Sequence, residues 1–284
     1  MARITMSEQD KIDILARYNN GESVLSISKS FPYSYDAIHY FLKKNGIEIR
    51  NNKYNSRKYH CNSNIFSEID TEEKAYWLGF LYADGCIMKS DYNAYIVSLA
   101  LGSKDREHLR KFQSFLNTNY PIHDYVSTGN THHPYSRIAI RDNRMALDLI
   151  NHGVFLRKTE DLKFPLDLPN NLISHFIRGY FDGDGCLTGH LDKNRHMRWH
   201  LKFCGTMDMM NGIQNYVLHL KSYNKPIALT KRYKNDVDNY NLEIGGNKQV
   251  REILNYIYRD ATIYLERKHQ KYLTMIENKG EQTK

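Results

Sequence analysis

Two aspartates occupy the same place in two similar stretches of this sequence. Asp84 ends the apolar run 77–83, Asp184 ends the run 177–183, and Gly-Cys follows each aspartate. If both runs are helices, both carboxylates lie at helix carboxyl ends, where the helix dipole is already negative. Parallel pairing of the helices would also bring the two charges together, a repulsion that a hard divalent cation with oxygen ligands relieves. The pattern therefore indicates a metal site built on two carboxylates.

Small residues line one face of each predicted helix. Gly79 and Ala83 in the first copy, and Gly179 and Gly183 in the second, are spaced so that each pair shares a helix face. An interior glycine costs a helix roughly 0.5–1 kcal/mol relative to alanine, and close approach of two backbones would offset that cost. We predict that the helices pack together through Gly79 and Gly179, and that the glycine after each aspartate is left-handed. The plainer alternative is two buried helices that end in ordinary turns.

These paired stretches resemble the motifs of the LAGLIDADG (dodecapeptide) homing endonucleases. In that family the motif helices pack at a pseudo-twofold axis, and the last acidic residue of each motif binds the divalent metal that drives DNA hydrolysis. The resemblance implies that Asp84 and Asp184 are catalytic and hold Mg²⁺, or another divalent cation such as Mn²⁺. Backbone oxygens of the preceding residues, Ala83 and Gly183, are expected to complete the two metal sites.

The sequence departs from the family pattern at one position of the first motif. The family's earlier acidic residue is Asp182 in the second copy but Tyr82 in the first. Because this position is not the metal ligand, the departure leaves the assignment of the metal site in place.

The order of predicted elements repeats along the chain from Ile69 onward. Each copy has a motif helix, two strands, a helix, two strands and a final helix, which is also the order found in the family. We predict an α+β fold of tandem pseudo-symmetric αββαββα repeats, residues 70–164 and 165–284, that form a saddle for DNA. The predicted strands are 86–89, 95–101, 122–127 and 136–141, then 186–190, 197–204, 227–233 and 240–244; the other predicted helices are 102–116, 143–151, 205–222 and 247–258; the basic pairs Arg157-Lys158 and Arg267-Lys268 follow the last helix of each copy.

Basic side chains mark one face of the predicted strand 197–203, whose other face is apolar. Such a strand packs one face on the core and leaves the other solvated. In the family these sheets lie over the major groove, where phosphate contacts supply affinity and base contacts supply specificity. A merely solvated strand face is the alternative. The candidate DNA-binding residues are Lys43, Arg137, Arg141, Arg198, His200, Lys231, Arg232 and Lys234.

A lysine near the metal site is common in the family. Lys202 is the candidate here by its position on the strand, and it is included among the expected catalytic residues. The first copy has Ser98 or Leu99 at that position, so the basic residue of the first site is not identified from the sequence.

Residues 1–50 are predicted to form a small all-α domain that resembles a helix-turn-helix module. Its helices are expected at 7–20, 23–31 and 35–45, and the third would present Lys43 to a DNA groove. The alternative is a three-helix packing module without a DNA contact. Residues 51–69 are polar, basic and aromatic, and they are predicted to be a linker that either follows nucleic acid or is simply solvated.

Composition favours a globular chain with an anionic partner. The 284 residues contain 41% hydrophobic and 12% aromatic residues, enough for a packed core, and the formal net charge is +8. Neither a signal peptide nor an apolar run long enough to span a membrane is visible, so we expect a soluble intracellular protein. None of the four cysteines forms a C-x-x-C pair, which argues against a zinc knuckle, and Cys86 and Cys186 are expected to be small buried fillers.

Three functions remain open at this stage. The first is a homing-type DNA endonuclease that makes metal-dependent double-strand cuts at a long target, as the resemblance implies. The second is an RNA-splicing maturase that binds intron RNA, and the third is a DNA-binding regulator without catalysis. Retention of both acids favours the first, because a pure DNA binder has no need of two carboxylates beside phosphates. A monomer is expected since one chain contains both halves, and an intein is not expected because the ends lack protein-splicing residues. The target sequence, the cleavage pattern and the host element are not readable from the chain.

Overall fold

The computed structural model describes residues 6–19, 21–49, 58–90, 94–128, 132–154, 162–220, 225–233 and 237–277. Contacts within the chain divide it into two units, residues 1–59 and 60–284. Among the described helices, none has the length and apolar character needed to cross a bilayer.

The described residues of the first unit form α1 (Glu8–Asn19), α2 (Val24–Ser28) and α3 (Tyr35–Lys44). Ser23 and Ser34 begin the second and third helices by accepting a hydrogen bond from the backbone N–H three residues on, as good N-caps do. Their apolar faces share a core of their own; its fully buried members are Ile14, Val24, Ile27, Ile38 and Leu42. The first and third helices lie where the sequence predicts them and the second ends at Ser28 rather than Phe31, while a DNA-binding role for this unit stays a prediction.

The second unit repeats one arrangement of helices and strands. The first copy is α4 (Glu72–Ala83), β1 (Gly85–Lys89), β2 (Tyr95–Gly102), α5 (Arg106–Phe115), β3 (Ile122–Val126), β4 (Pro134–Arg141) and α6 (Asn143–Asn151). The second copy is α7 (Asn170–Asp184), β5 (Cys186–Leu191), β6 (Met197–Gly205), α8 (Met207–Val217), β7 (Thr230–Lys231), β8 (Tyr240–Gly245) and α9 (Asn247–Tyr258), followed by α10 (Glu266–Glu277). The predicted αββαββα order is therefore confirmed in both copies.

Each copy forms a four-stranded antiparallel sheet of the same topology, β1-β2-β4-β3 in the first and β5-β6-β8-β7 in the second. Along β6, Trp199, Leu201 and Phe203 are buried, while Arg198 and His200, on the alternate positions, are exposed. This confirms the predicted alternation of that strand. Each sheet therefore packs one face on helices and leaves the other face open.

The motif helices α4 and α7 lie at the centre of the second unit. Eight consecutive residues of α4, 75–82, are buried, so the helix has no solvent-facing stripe. A helix that is apolar all round must be enclosed by protein on every side. Thr71 begins α4 by accepting a hydrogen bond from the N–H of Lys74.

Helix α10 is the main element that the sequence does not predict. Only three of its residues are clear apolar anchors, so its periodicity is weak, yet Met275 and Lys268 are buried. Strand β7 is shorter than the predicted 227–233, and α8 ends at Val217 rather than near residue 222.

Candidate active site

The two motif helices touch through their glycines. A Cβ placed on Gly79 would collide with the carbonyl oxygen of Phe176 and lie 2.9 Å from the backbone nitrogen of Tyr180. A Cβ placed on Gly179 would collide with the carbonyl oxygen of Tyr76 in the same way. Backbone therefore meets backbone, and only glycine leaves room for this approach. The predicted packing through Gly79 and Gly179 agrees with this geometry.

The helices run in parallel, so their carboxyl ends lie together, and we call this end of the helix pair the foot. Ala83 lies against Gly183, and a Cβ on Gly183 would be 3.3 Å from the Oδ2 of Asp84. Asp84 caps α4 and Asp184 is the last residue of α7. The geometry thus places the two motif aspartates at the same end of the helix pair.

Electrostatics shows that both aspartates act on one buried group. The pKa of Tyr180 is raised well above its usual value, first by burial and then by the charges of Asp184, Cys204 and Asp84. The hydroxyl of Tyr180 donates to the carbonyl of Cys204 at 2.7 Å. Both motif aspartates therefore lie within electrostatic reach of the buried Tyr180.

The glycine that follows each aspartate is not left-handed, contrary to the prediction. Gly185 is extended, with φ −84° and ψ 162°, and Gly85 is the first residue of β1. Glycine is required here for another reason, because a Cβ would lie 2.7 Å from the carbonyl oxygen of Leu81 at Gly85 and 2.6 Å from that of Phe181 at Gly185. The chain turns from helix into strand within one residue, and a side chain would block the turn.

A cleft of about 150 Å³ opens beside Asp184. Arg232 and Cys204 line it together with Asp184. The pKa of Arg232 is raised by the neighbouring Cys204 and Tyr233 and by Asp184, so the guanidinium lies within electrostatic reach of the carboxylate. A cationic side chain and an anionic one therefore share a cleft that is large enough for a phosphate group and water.

A buried lysine from α10 reaches the carboxyl end of α7. Lys268 Nζ donates to the carbonyl oxygens of Phe181 (2.5 Å), Gly183 (3.1 Å) and Gly185 (2.6 Å). The carbonyl of Phe181 also accepts the N–H of Gly185, so Lys268 ties the last turn of α7 to the first residue beyond it. Burial lowers the pKa of Lys268 to about 8, and the charges of Asp182 and Asp84 oppose that shift. Lys268 is thus a fixed cation at the foot of the helix pair.

Lys268 is the residue that sequence reasoning missed. The available signal was the basic pair after the last predicted helix of each copy, which recurs at the same place without an obvious role. Its first-copy counterpart, Arg157-Lys158, lies outside the described residues.

Lys202, the lysine selected from the sequence, lies on the open face of β6. Its Nζ pairs with Glu243 Oε1 of β8 at 2.9 Å, and both side chains are more than a third exposed. Its charge lowers the pKa of Cys204, a neighbour of Asp184, although burial raises that pKa overall. The lysine that bonds the backbone carbonyls at the foot is Lys268, not Lys202. Ser98 is its counterpart in the first copy, because Cys86 pairs with Ser98 as Cys186 pairs with Lys202.

The donor set at the foot suits a hard cation. Within the described parts of the chain, no group of three or more His, Cys, Asp or Glu side chains is placed to hold a metal ion. Mg²⁺ does not need such a cage, because it commonly uses one or two carboxylates together with water and substrate phosphate oxygens. Asp84 and Asp184 with nearby backbone carbonyls therefore fit Mg²⁺ better than a soft metal. One of those carbonyls, that of Gly183, also accepts a hydrogen bond from Lys268.

Asp182 and Tyr82, the two residues at the variable motif position, have different structural roles. The carboxylate of Asp182 is buried and accepts hydrogen bonds from Tyr76 (2.8 Å), Tyr258 (2.9 Å) and the N–H of Leu265 (2.7 Å). Burial raises the pKa of Asp182, although these donors and Lys268 oppose the shift. Tyr82 instead donates to the carbonyl of His152. The polar groups of both residues are therefore engaged in hydrogen bonds within the protein.

His108 extends this buried network, and it supplies a pH-dependent prediction. Its Nε2 lies 2.9 Å from the hydroxyl of Tyr76, and burial lowers its pKa to about 3. The folded state therefore disfavours protonation of His108. The contribution of this neutral histidine to the free energy of unfolding is complete above pH 6.5 and is lost as the pH falls towards 3. One such proton gives a slope of up to about 1.4 kcal/mol per pH unit. We expect His108→Gln to flatten the decline of unfolding free energy over this window, measured by denaturant titration.

The control for this measurement is His219→Gln, which changes an exposed histidine. That variant should keep the wild-type slope. Identical slopes for His108→Gln and the wild type would show that His108 does not carry the acid sensitivity.

Most predicted DNA-binding residues are solvent-accessible. Arg137 lies on the open face of the first sheet, where its Nε donates to the hydroxyl of Ser98 at 2.7 Å. His200 stacks on His190 with ring centroids 5.1 Å apart, and Arg198 pairs with Asp192 at 2.9 Å. The other described members, Lys43, Arg141, Lys231 and Arg232, are exposed, and Lys234 lies outside the described residues.

The cysteines after the motif are not buried fillers, contrary to the prediction. Cys86 and Cys186 are both exposed at the start of β1 and β5. They occupy the first outward-facing position after each aspartate, where the strand alternation turns the side chain to the open face of the sheet.

Comparison with known proteins identifies the fold. No protein-family model and no curated protein sequence matches this chain. Solved structures do match: meganuclease I-SmaMI bound to uncleavable DNA (11% identity, 73% of this chain and 90% of that one, TM-score 0.50), and the LAGLIDADG homing endonuclease I-GzeII in complex with its DNA target (10%, 74% and 92%, 0.50). LAGLIDADG meganuclease I-CpaMI bound to uncleaved DNA matches as well (12%, 74% and 90%, 0.50). The chain therefore has the LAGLIDADG fold.

Proposed function

We propose that this chain, which has the LAGLIDADG fold, is a metal-dependent DNA endonuclease of the homing type. It would bind a long duplex target on its two open sheets and cut both strands. The observation that carries the proposal is the pair of motif aspartates held at one foot of a parallel helix pair. The glycine packing holds the ends of the two helices together although their carboxylates repel one another. A divalent cation bound between the carboxylates would relieve this repulsion.

In this mechanism Asp84 and Asp184 would hold the ions, with carbonyl oxygens of Ala83 and Gly183 as further donors. When bound, the ions supply an activated water, charge neutralisation at the scissile phosphate and stabilisation of the leaving alkoxide. Each aspartate would serve the cut of one DNA strand. Because one chain carries both sites, we propose that it acts as a monomer.

Lys268 takes a positioning role in this proposal. Its three hydrogen bonds fix the carbonyls at the end of α7 and so fix the backbone that carries Asp184. Its positive charge also acts on Asp84. Arg232, in the cleft beside Asp184, is placed to contact a phosphate oxygen.

The two alternative functions make different demands on the site. A DNA-binding regulator would gain nothing from carboxylates beside phosphates, since each one weakens the binding of a polyanion. A maturase would use the same scaffold on structured intron RNA. The retained aspartates favour the endonuclease over the regulator, and the choice of nucleic acid separates the endonuclease from the maturase.

Cleavage of a randomised duplex library by the purified chain tests the proposal. We expect double-strand cuts at one long consensus with Mg²⁺, and none in EDTA. Binding without cutting in Mg²⁺ or Mn²⁺ would support the regulator. Neither cutting nor binding of duplex DNA, with binding of structured intron RNA, would support the maturase.

The two lysines can be separated by their kinetics. We expect Lys268→Met to lower the single-turnover cleavage rate at saturating protein by about tenfold to a hundredfold, because loss of its three hydrogen bonds lets the backbone that carries Asp184 shift. Lys202→Met should weaken DNA binding and leave that saturated rate within about twofold. Rates are measured on a plasmid carrying the selected target, and Lys268→Arg tests whether another cation restores activity. The reverse ranking of the two Met variants would return the catalytic assignment to Lys202.

We further propose that the first unit contacts DNA through α3. Tyr40 is 67% exposed on that helix, and Lys43 lies one turn further along the same face. A contact between lysine and phosphate adds affinity without regard to sequence. We expect Tyr40→Ala with Lys43→Ala to weaken binding of the full chain to its target by about tenfold, measured by gel shift in EDTA. Lys11→Ala on α1 is the control, and equal effects of the two variants would assign α3 no special role.

A further inference from the structure

The two open sheet faces differ in chemistry although their backbones are related by the repeat. The antiparallel registers place equivalent residues in equivalent rows. In the row nearest the foot, Ser98 and Ala139 of the first sheet correspond to Lys202 and Glu243 of the second. This correspondence allows the faces to be compared position by position.

The first sheet carries an apolar patch, formed by Met88, Ile96 and Ala139. Met88 and Ile96 are direct cross-strand partners, and Ala139 lies in the adjacent row as the partner of Ser98. Both larger side chains are only partly buried, and Ala139 is exposed. Apolar side chains on an open face have no structural need to be there, because the core lies on the opposite face.

The second sheet carries a polar cluster at the matching positions, formed by Thr188, His200, Lys202 and Glu243. Lys202 and Glu243 are direct cross-strand partners whose charged groups lie 2.9 Å apart. Thr188 and His200 are likewise direct partners in the next row. The matching positions of the first sheet hold Met88, Ile96, Ala139 and Ser98, and the hydroxyl of Ser98 is buried and accepts a hydrogen bond from Arg137.

These two chemistries select different base pairs in the major groove. The thymine C5-methyl group is the apolar feature of that groove, and it is contacted by alanine and other apolar side chains. Guanine offers two acceptors to lysine, and cytosine offers an amino donor to a carboxylate. A lysine beside a glutamate therefore matches a G·C pair, while the apolar patch matches A·T pairs.

We propose that the two sheets read half-sites of unlike composition, with A·T pairs beneath the apolar patch and G·C pairs beneath the polar cluster. The inference rests on the proposed function, since it takes duplex DNA as the ligand of both faces. The preference should be strongest next to the cut, because the row of Lys202 and Glu243 is the first row beyond the motif aspartates. Arg141 is the direct partner of Ile96 and Arg137 donates to Ser98, so the two arginines flank the apolar patch and supply phosphate or guanine contacts beside it.

Replacement of thymine by uracil tests the proposal without changing the protein. A target is first selected by binding from a randomised duplex library in EDTA, so that cleavage is not required. Thymines of each half are then replaced by uracil, which removes only the methyl group. We expect about fourfold weaker binding for each methyl lost beneath the apolar patch, as burial of one such group implies, and little change in the other half.

A double variant assigns each half of the target to its sheet. Lys202→Ser with Glu243→Ala gives the second sheet the first sheet's residues at exposed positions, so the fold should persist. We expect this variant to lose about tenfold or more of the discrimination against A·T in one half only. The uracil effect should be confined to the other half.

The outcomes separate this inference from the function on which it depends. Specific binding with equal uracil effects in both halves, or a double variant with unchanged discrimination, would overturn the inference and leave the endonuclease in place. Absence of specific duplex binding would overturn the proposed function itself.

Discussion

Asp184→Asn should abolish double-strand cleavage by this chain while leaving DNA binding intact, and Asp84→Asn should do the same. Each change keeps the size and hydrogen-bonding shape of the side chain but removes the charge that would hold a divalent ion. Loss of metal assistance removes several kcal/mol of transition-state stabilisation, which corresponds to about a thousandfold in rate. The measurement is linearisation of a target plasmid in Mg²⁺, with binding measured separately in EDTA.

Asp167→Asn is the matched control, because this aspartate is exposed and lies outside both motifs, before the start of α7. It should cleave at the wild-type rate. Full double-strand cleavage by either motif variant would contradict the assignment of the metal site. Loss of DNA binding would indicate a folding defect instead.

The second large effect concerns stability. Gly79→Ala and Gly179→Ala should each lower the free energy of unfolding by about 3 kcal/mol or more, since overpacking of this kind usually costs 1–3 kcal/mol even where side chains can yield. Here the new Cβ would meet the backbone of the facing helix, which has no rotamer to change. Alanine otherwise favours a helix by about 1 kcal/mol over glycine, so a measured loss of unfolding free energy would come from the packing of the two helices. Denaturant unfolding gives the value.

Gly102→Ala provides the comparison, because a Cβ at Gly102 meets no atom within 4 Å. Its backbone, at φ −53° and ψ 143°, is open to alanine. This variant should be neutral or slightly more stable. A small effect at Gly79 would mean that the helices can separate without loss, against the close packing described above.

The helix pair was predictable because its sequence signals are local and repeated. A glycine inside an apolar helix, such as Gly79 or Gly179, indicates that another helix packs closely against it. The duplication of the motif indicates which helix that is. The strands were predictable for a similar reason, since alternation such as that of residues 197–203 records one buried face and one open face.

Lys268 and α10 were not predictable by the same reasoning. The role of Lys268 depends on three carbonyl oxygens more than 80 residues away in the chain, a relation that no local pattern encodes. The choice of Lys202 followed strand position alone, and nothing in the sequence indicated that Glu243 would face it. Gly85 and Gly185 were assigned the wrong conformation because a glycine can serve either a left-handed turn or a lack of space.

One buried contact makes the two halves of this molecule non-interchangeable. Arg178 of α7 is fully buried and bonds Glu72 of α4 at 2.6 Å, while Leu78 and Leu172 hold the corresponding positions on the other side of the pair. A symmetric dimer of the second half would bury two Arg178 guanidinium groups without the Glu72 carboxylate. A symmetric dimer of the first half would place Glu72 opposite Leu78. An unmatched buried charge costs about 3–5 kcal/mol. The duplicated halves are therefore committed to each other, and neither retains the self-complementary surface that a symmetric dimer would require.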